Sequence, residues 1–441
     1  MIINFLKKTC CFTVALLAGT LNIQAQTTNN TVSFTAAINK IEPKVIAWRH
    51  QIHQNPELGN NEIKTALLIA NHLKALGLAV KTGVAKTGVV GILIGGKPGP
   101  VIALRADMDA LPVEEKNDLP FASKVKTTFD GKETFAMHAC GHDAHVAILM
   151  GVAELLAGIK KDLKGTIKFI FQPAEEGAPH GEEGGAELMI KENVLENPKV
   201  DVIFGLHMDA LADVGTIKYR PAGFMAGVSS LKITVNGKGS HGAQPWFAVD
   251  PIVVSAQIVN SLQTIVSRNV KISENPAVVT IGAIHGGNRT NIISDKVEML
   301  GTIRTFSLTD EKLVKERIKT IAEKTAEAFG ATALVDIPYG HQYPITFNNI
   351  ALTNNMLPSL QKSVGKNNVI LSEPITGAED FSFFQQKVPG LYFFIGGLTK
   401  GKDVTKAGPH HTSYFMLDDA AYKTGLTTLC NLVFDYAELK K

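Results

Sequence analysis

The run His138-Ala139-Cys140-Gly141-His142-Asp143-Ala144-His145 puts one thiol and three imidazoles within a short stretch of chain. A metal ion needs deprotonated sulfur, neutral imidazole nitrogen or carboxylate oxygen held on rigid backbone. Three further segments offer such donors: Pro173-Ala174-Glu175-Glu176-Gly177, Gly205-Leu206-His207-Met208 and Pro409-His410-His411-Thr412. Each stands near an expected strand or helix end. Metal-assisted hydrolysis is the simplest chemistry for this set. Cys140 and His142 sit at the entry to a helix, where the helix N-terminus lowers a thiol pKa and favours the thiolate. Of two adjacent carboxylates, one is free to ligate a metal while the other accepts the proton of an attacking water. Alone, each feature has a blander reading: a core Cys beside a chance His, a solvated Glu pair, isolated His residues at strand ends. The Gly between Cys140 and His142, and the buried strand that leads into Glu175, shift the balance toward chemistry.

Other chemistries fail on the residues. Gly91 to Lys97 has the glycine and lysine spacing of a phosphate loop, but Pro98 stands where Ser or Thr is required, and another strand follows instead of a helix. No Gly-x-Ser-x-Gly elbow is present. With 45% hydrophobic and 19% charged residues among 441, the chain reads as an ordinary globular protein of two or three domains. Its net charge is +3, with no basic run to suggest a nucleic-acid partner. The order Lys7-Lys8, apolar Thr9 to Leu21, then Ile23-Gln24-Ala25 is that of a secretory signal peptide over residues 1–25, so an exported protein, periplasmic or secreted, with no membrane span after cleavage is expected. Losing Lys7 and Lys8 takes the charge from +3 to +1. Cys10 and Cys11 lie in that leader and do not read as a lipidation site. Cys140 and Cys430 remain, and both are expected to stay unbridged, Cys430 as a small residue on the apolar face of a terminal helix over 420–439.

The elements that must position these residues follow from periodicity. Residues 26–35 read as a mobile start. Ile38 to Leu76 reads as two helices broken at Asn55-Pro56-Glu57-Leu58-Gly59. Short apolar strands then alternate with helices: Val89–Ile94, Val101–Leu104, a helix from about Ala144, Thr166–Phe171 and Val202–Leu206. This is an α/β pattern with a mostly parallel sheet, and Arg105-Ala106-Asp107, Glu175-Glu176 and His207 follow strands, where such sheets gather ligands. From about Gly227 the order becomes β-α-β-β-α-β, a ferredoxin-like arrangement: Leu231–Val235, Pro251–Val266, Ala277–Ile284, Lys296–Thr305, Asp310–Ala328 and Thr332–Ile337. The α/β pattern resumes with Gly390–Gly396. The expected organisation is a catalytic domain over 32–225 and 341–441, with a second domain over 226–340 inserted in it.

Several motifs together carry a resemblance: His53-x-x-Pro56-Glu57-Leu58, Arg105-Ala106-Asp107-Met108-Asp109-Ala110-Leu111-Pro112, Met137 to Asp143, Phe171 to Gly177, Gly301-Thr302-Ile303-Arg304 and Gly377-Ala378-Glu379-Asp380-Phe381. The chain resembles the M20 metallopeptidase family, in the amidohydrolase subgroup of hippurate hydrolases and auxin–amino acid conjugate hydrolases, over nearly all its mature length. The resemblance implies two divalent metal ions bridged by Cys140 and a water, with His142, Glu176, His207 and His411 as the other ligands and Glu175 as general base and then acid. Cys and His ligation suits Zn²⁺, with Mn²⁺, Co²⁺ or Ni²⁺ as alternatives. It also implies a homodimer through the inserted domain, in which His241 reaches a partner's site to stabilise the oxyanion while Asn291 and Arg304 contact the substrate, Arg304 as a carboxylate fork. The implied activity is cleavage of the amide bond of N-acyl amino acids or similar conjugates, with a metallo-dipeptidase or carboxypeptidase of the same family as the alternative and a non-catalytic binding protein on this scaffold as a third reading. Ser413 stands where the last motif usually has Pro, and His410 beside His411 leaves the last ligand open by one position. The segment Ala178 to Glu183 is longer than in the compact form of its motif, with His180 read as a loop residue. His138 and His145 are expected to be structural, and Trp246 is left open between packing and a pocket wall.

Overall fold

The fold is described from a computed structural model covering residues 34–340 and 342–439. The expected leader and the polar start lie outside these residues, apart from Phe34 and Thr35 at its end. Among the described residues no helix is long and apolar enough to cross a membrane.

A central sheet of eight strands carries the site. Its spatial order is Ala79–Val84, Gly88–Ile94, Lys164–Gln172, Lys97–Asp107, Val202–Asp213, Gly390–Leu398, Ile217–Tyr219 and Val369–Leu371. The middle strands pair in parallel, from Lys164–Gln172 through Lys97–Asp107 and Val202–Asp213 to Gly390–Leu398. Antiparallel pairs flank them on both sides. The Gly390–Leu398 strand is buried at every position, as expected for a strand covered on both faces.

One face is covered by three packed helices, Thr35–Gln54, His142–Gly158 and Tyr422–Leu439. The first buries Ile38, Ile41, Val45, Arg49 and Ile52, a stripe at helical spacing, and the break before the next helix, Ile63–Ala75, falls where Pro56 and Gly59 placed it. His142–Gly158 is buried nearly all round, because it lies between the sheet and both neighbouring helices. Gly151 permits the close approach: a Cβ there would stand 2.7 Å from Leu426 Cδ2 and 2.8 Å from Val45 Cγ2. Cys430 is buried in the last helix, and both it and Cys140 are free thiols, as expected.

The second sheet is antiparallel, in the order Val278–Gly286, Lys296–Thr305, Gly227–Asn236, Thr332–Asp336. With helices Pro251–Arg268 and Leu308–Ala328 this is the ferredoxin-like β-α-β-β-α-β order. Both helices begin with side-chain caps: Asp250 accepts from Ile252 N ahead of Pro251, and Ser307 accepts from Asp310 N. Their apolar stripes, Val254-Ile258-Leu262-Ile265 and Val314-Ile318-Ala322-Ala326, close a core distinct from that of the central sheet. From Phe34 onward the chain nevertheless forms one compact unit.

Because the helix that carries His142 is wedged by Gly151, Gly151→Val should destabilise the protein by about 1–3 kcal/mol through overpacking. The change would be read as a lower urea midpoint with an unaltered slope.

Candidate metal centre

Four segments converge at the carboxyl end of the parallel strands. The strand Lys164–Gln172 delivers Glu175 and Glu176 on a turn with Ala174 at φ +51° and Gly177 at φ +110°. Three bonds hold the turn: Ala174 N donates to Glu62, Glu176 N to Asp109 Oδ2 and Tyr343 Oη to the Glu175 carbonyl, each at 2.9 Å. Cys140 precedes Gly141, whose φ of +98° caps the His142 helix, and a Cβ on Gly141 would press on Met208 at 3.1 Å. His207 lies within its strand, which runs on to Asp213, but beyond the last pair that strand makes with Lys97–Asp107. His411 has φ +63° and donates its backbone N–H to Ala139 at 2.8 Å, which draws the last loop onto the cysteine segment.

The side chains close up around the Cys140 sulfur. His207 Nε2 is 3.4 Å away and His411 Nε2 3.3 Å. His411 Nε2 is also 3.1 Å from Glu176 Oε1, and His142 Nε2 is 3.8 Å from Glu175 and 4.0 Å from Glu176. Two donor groups, Cys140-His142-His207 and Cys140-Glu176-His411, therefore share the sulfur. Hydrogen bonds set the tautomers. His142 Nδ1 faces the Asp109 carbonyl at 2.9 Å and His207 Nδ1 the Met208 carbonyl at 2.6 Å, so both rings donate there and turn Nε2 inward. His142 Nε2 is buried without a hydrogen-bond partner, and Glu176 Oε1 meets only the misaligned His411 Nε2. Orphaned buried donors of this kind around a thiol fit a divalent cation.

The same accounting separates the neighbouring histidines. His145 accepts from Met208 N and donates to Asp107, so neither nitrogen is free, as its structural reading expected. His410 Nε2 accepts from Ala210 N at 3.2 Å, which leaves Nδ1–H facing the sulfur at 3.8 Å, while His411 keeps its Nε2 on the sulfur and Glu176. His138 is buried with both ring nitrogens unpartnered, and burial pushes its pKa down to about 3. His180 is exposed on its loop, and Trp246 is 71% exposed, so it packs no core of its own chain.

The electrostatics reverse one expectation. Burial pushes the Cys140 thiol well up, and Glu176, Glu175 and Asp107 add to it. The helix N-terminus is outweighed by desolvation and three carboxylates, so a thiolate here needs a cation to hold it. Burial, with Glu379 and Glu176 behind it, also holds the Glu175 carboxyl well above the usual range. Burial opposes charge on His142, but Asp107 and Asp109 prevail and raise it to about 10, while burial takes His207 down to about 4.

Beneath the donors lies a buried guanidinium. Arg105 donates to Gln172 (2.8 Å), Asp107 (2.6 Å), Glu379 (2.8 Å) and Asp380 (2.9 Å). Sequence reasoning gave these residues and Asp109 no role beyond their motifs. The available signal was charge at Arg105, Asp107 and Asp109 directly after an apolar strand, where buried charge demands partners.

Cys140, His142, Glu175, Glu176, His207 and His411 are thus brought together, and His241, Asn291 and Arg304 are not part of this cluster. His241 and Asn291 are exposed on the second sheet's side, where Gly242 N bonds the Asn291 carbonyl and His241 Nδ1 accepts from Ala243 N at 3.0 Å. Arg304 is half-buried opposite Val228 and Val278, with no ion-pair partner among the described residues.

The sequence profile of peptidase family M20/M25/M40 matches residues 103–435. Thermostable carboxypeptidase 2 of Saccharolobus solfataricus is 42% identical over 88% of this chain and 94% of its own. IAA-amino acid hydrolase ILR1-like 4 of Arabidopsis thaliana is 37% identical over 90% of this chain and 86% of its own. Among solved structures, the Bacillus subtilis YXEP protein, described as a dinuclear metal binding peptidase from the M20 family, superposes with a TM-score of 0.76 at 33% identity, covering 91% of this chain and 99% of that one.

The Asp109 carboxylate also faces His142 Nδ1 at 3.2 Å and accepts from Glu176 N at 2.9 Å, so it helps to orient both residues. Asp109→Ala should therefore weaken divalent-metal affinity by about 10–100-fold, the usual effect of removing a group that orients ligands. Competition against a chelator measures it; unchanged affinity would show that the two donors hold their aim without Asp109.

Proposed function

This chain belongs to peptidase family M20/M25/M40 and is a metal-dependent hydrolase, and from that premise we propose that it cleaves the amide bond of N-acyl amino acids at a two-metal centre. The observation that carries the reading is the pair of donor groups meeting at the Cys140 sulfur, with the buried Glu175 beside them. The ligands in this reading are Cys140, His142, Glu176, His207 and His411. The ions, Zn²⁺, Mn²⁺, Co²⁺ or Ni²⁺, would supply Lewis acidity to the scissile carbonyl and to the attacking water. Glu175 takes the proton of that water and passes it to the leaving amine. Its raised affinity for a proton suits a group that must accept one and then give it up.

The second sheet supplies the rest of the reading. Residues 226–340 act as an inserted lid and dimerisation domain. The edge strand Val278–Gly286 pairs on one side only among the described residues and exposes Val278 and Ile284, while Trp246, Phe247 and Ile292 are exposed near His241. A homodimer through this surface would cover them and carry His241 to the partner's site as an oxyanion donor. Arg304, a cation without a partner among the described residues, takes the substrate carboxylate, with Asn291 beside the substrate. Residues 1–25 direct export.

The 42% identity to a carboxypeptidase supports a second reading with the same residues, hydrolysis of dipeptides or of C-terminal residues. A panel of N-acyl amino acids and dipeptides with metal-reconstituted protein separates the two. Activity confined to substrates with a free α-amine would remove the N-acyl reading. Glu175→Gln should lower kcat by about 10²–10⁴-fold with metal retained, and near-normal turnover would dismiss Glu175 as the base. His241→Ala should lower kcat, and Arg304→Ala should raise KM for free-acid substrates far more than for their amides. Activity recovered on mixing His241→Ala with Glu175→Gln chains would demonstrate a shared site; none in proven heterodimers would exclude it.

A further inference from the structure

The chain crosses between the two sheets twice, and the two crossings run side by side. Met225 pairs with Thr346 on the side of the central sheet, and Val228 with Tyr343 and Ser229 with Gln342 where the second sheet begins. Gly227 lets the crossings close up, since a Cβ there would stand 2.8 Å from Ile345 Cγ1 and 3.2 Å from Ile345 N. One end is pinned below: Thr346 Oγ1 donates to the Glu379 carbonyl at 3.3 Å. The other end follows the second sheet. Tyr339 N donates to the Ser230 carbonyl at 3.0 Å, and Gln342 Nε2 to Glu311 on the helix Leu308–Ala328 at 3.3 Å.

Tyr343 stands in this junction with its hydroxyl on the turn that carries the general base. Its Oη donates to the Glu175 carbonyl at 2.9 Å, while the other two ties of that turn, to Glu62 and Asp109, come from segments around the central sheet. Phe383 packs against the ring in a T-shaped arrangement, with centroids 6.2 Å apart. Burial, then Asp380 and Glu175, push the phenol pKa up, so the hydroxyl keeps the proton it donates. Across the second sheet Tyr343 pairs with Val228, and Val228 pairs in turn with Arg304. Directly paired residues share a face of a sheet. Neighbouring strands lie about 4.8 Å apart, so Arg304 stands on the same face as Tyr343, roughly 10 Å along one row.

We propose that Tyr343 is a positioning residue that couples the substrate's carboxylate to the general base. A carboxylate held at Arg304 acts through the row Arg304-Val228-Tyr343, and the Tyr343 hydroxyl sets the backbone from which Glu175 reaches the attacking water. The proposal rests on the reading above that Arg304 takes the carboxylate and Glu175 the proton. Because the hydroxyl is spent on a carbonyl and not on a donor of the metal centre, its loss spares metal binding.

The test is a double-mutant cycle of Tyr343→Phe and Arg304→Ala. It is read as kcat and KM on an N-acylglycine and on its amide, with metal content from elemental analysis. Tyr343→Phe should lower kcat by about 10–100-fold, the effect of slightly misplacing a reacting group. KM should change by less than about twofold, and metal content should match the wild type. Arg304→Ala should raise KM for the free acid and also lower its kcat by about 2–30-fold. In the Tyr343→Phe chain that second loss should vanish while the rise in KM remains, and the amide should show the Tyr343 effect alone. Should Tyr343→Phe not fold, Gly227→Ala takes its place in the cycle, since it displaces the same strand with the hydroxyl kept. Should the wild type cleave only dipeptides, the cycle runs on those, because they carry the same carboxylate. An unchanged kcat in Tyr343→Phe, or a metal loss that accounts for the fall, would overturn the proposal. If Arg304→Ala leaves KM for the free acid unchanged, the reading of Arg304 fails and the coupling falls with it. If that KM rises and the two kcat effects simply multiply, the coupling alone fails.

Discussion

The buried guanidinium of Arg105 is the contact on which the rest of the site depends. A lone cation in this interior would be strongly disfavoured, and one removed from its partners typically costs about 3–5 kcal/mol. Arg105 avoids this by meeting Asp107 on its own strand, Gln172 on the adjacent strand, and Glu379 and Asp380 on the segment before Gly390–Leu398. The carboxylates outnumber it and need further donors. His145 gives one to Asp107, Tyr392 to Glu379, and Gln172 and Ala186 to Asp380. Even so, burial and Glu379 hold Asp380 up at about 8 against the pull of Arg105. One side chain therefore ties three segments of the central sheet together immediately below the donor cluster.

Above that layer the charge balance is left open. His142 is drawn positive by Asp107 and Asp109, yet Cys140 and Glu175 are both pushed toward their neutral forms. The Cys140 sulfur and the inward Nε2 atoms of His142 and His207 converge in this layer. A second polar cluster secures the helix from the other side: Asp143 accepts from Arg49 at 2.9 Å and faces His53 Nδ1 at 2.7 Å, with Glu115 beyond His53. Both clusters are buried, so the donor positions are fixed by bonds that water does not loosen.

Much of this was legible in the chain. Alternating apolar strands and helices, the 55–59 break, and the stripes of the two helices on the small sheet all reflect periodicity, which survives into the fold because burial enforces it. Cys140, His142, Glu175, Glu176 and His207, which the structure brings together, stood out by type and spacing. Other features were not. The helix Ile350–Val364 carries Pro358 within it, which argues locally against a helix, and the pairing of Lys126–Phe129 with Lys132–Phe135 was overlooked although Asp130-Gly131 is a turn signal. Helix position at Cys140 is visible in sequence, whereas the carboxylates that push its thiol up without a cation come from distant segments. The choice between His410 and His411 needed the Ala210 N–H, which lies far away in the chain. How residues 241, 291 and 304 stand to the cluster depends on the placement of one sheet against another, which local pattern does not encode.

The helix His142–Gly158 is at once the centre of the packing and the bearer of a metal-ligand candidate, and that double duty couples metal supply to protein lifetime. A cation that binds only the folded arrangement adds RT ln(1 + [L]/Kd) to its stability, about 2.7 kcal/mol at a hundredfold excess over Kd. When metal is scarce, the population therefore drifts toward opened chains that proteases can capture, so abundance as well as activity would track metal availability.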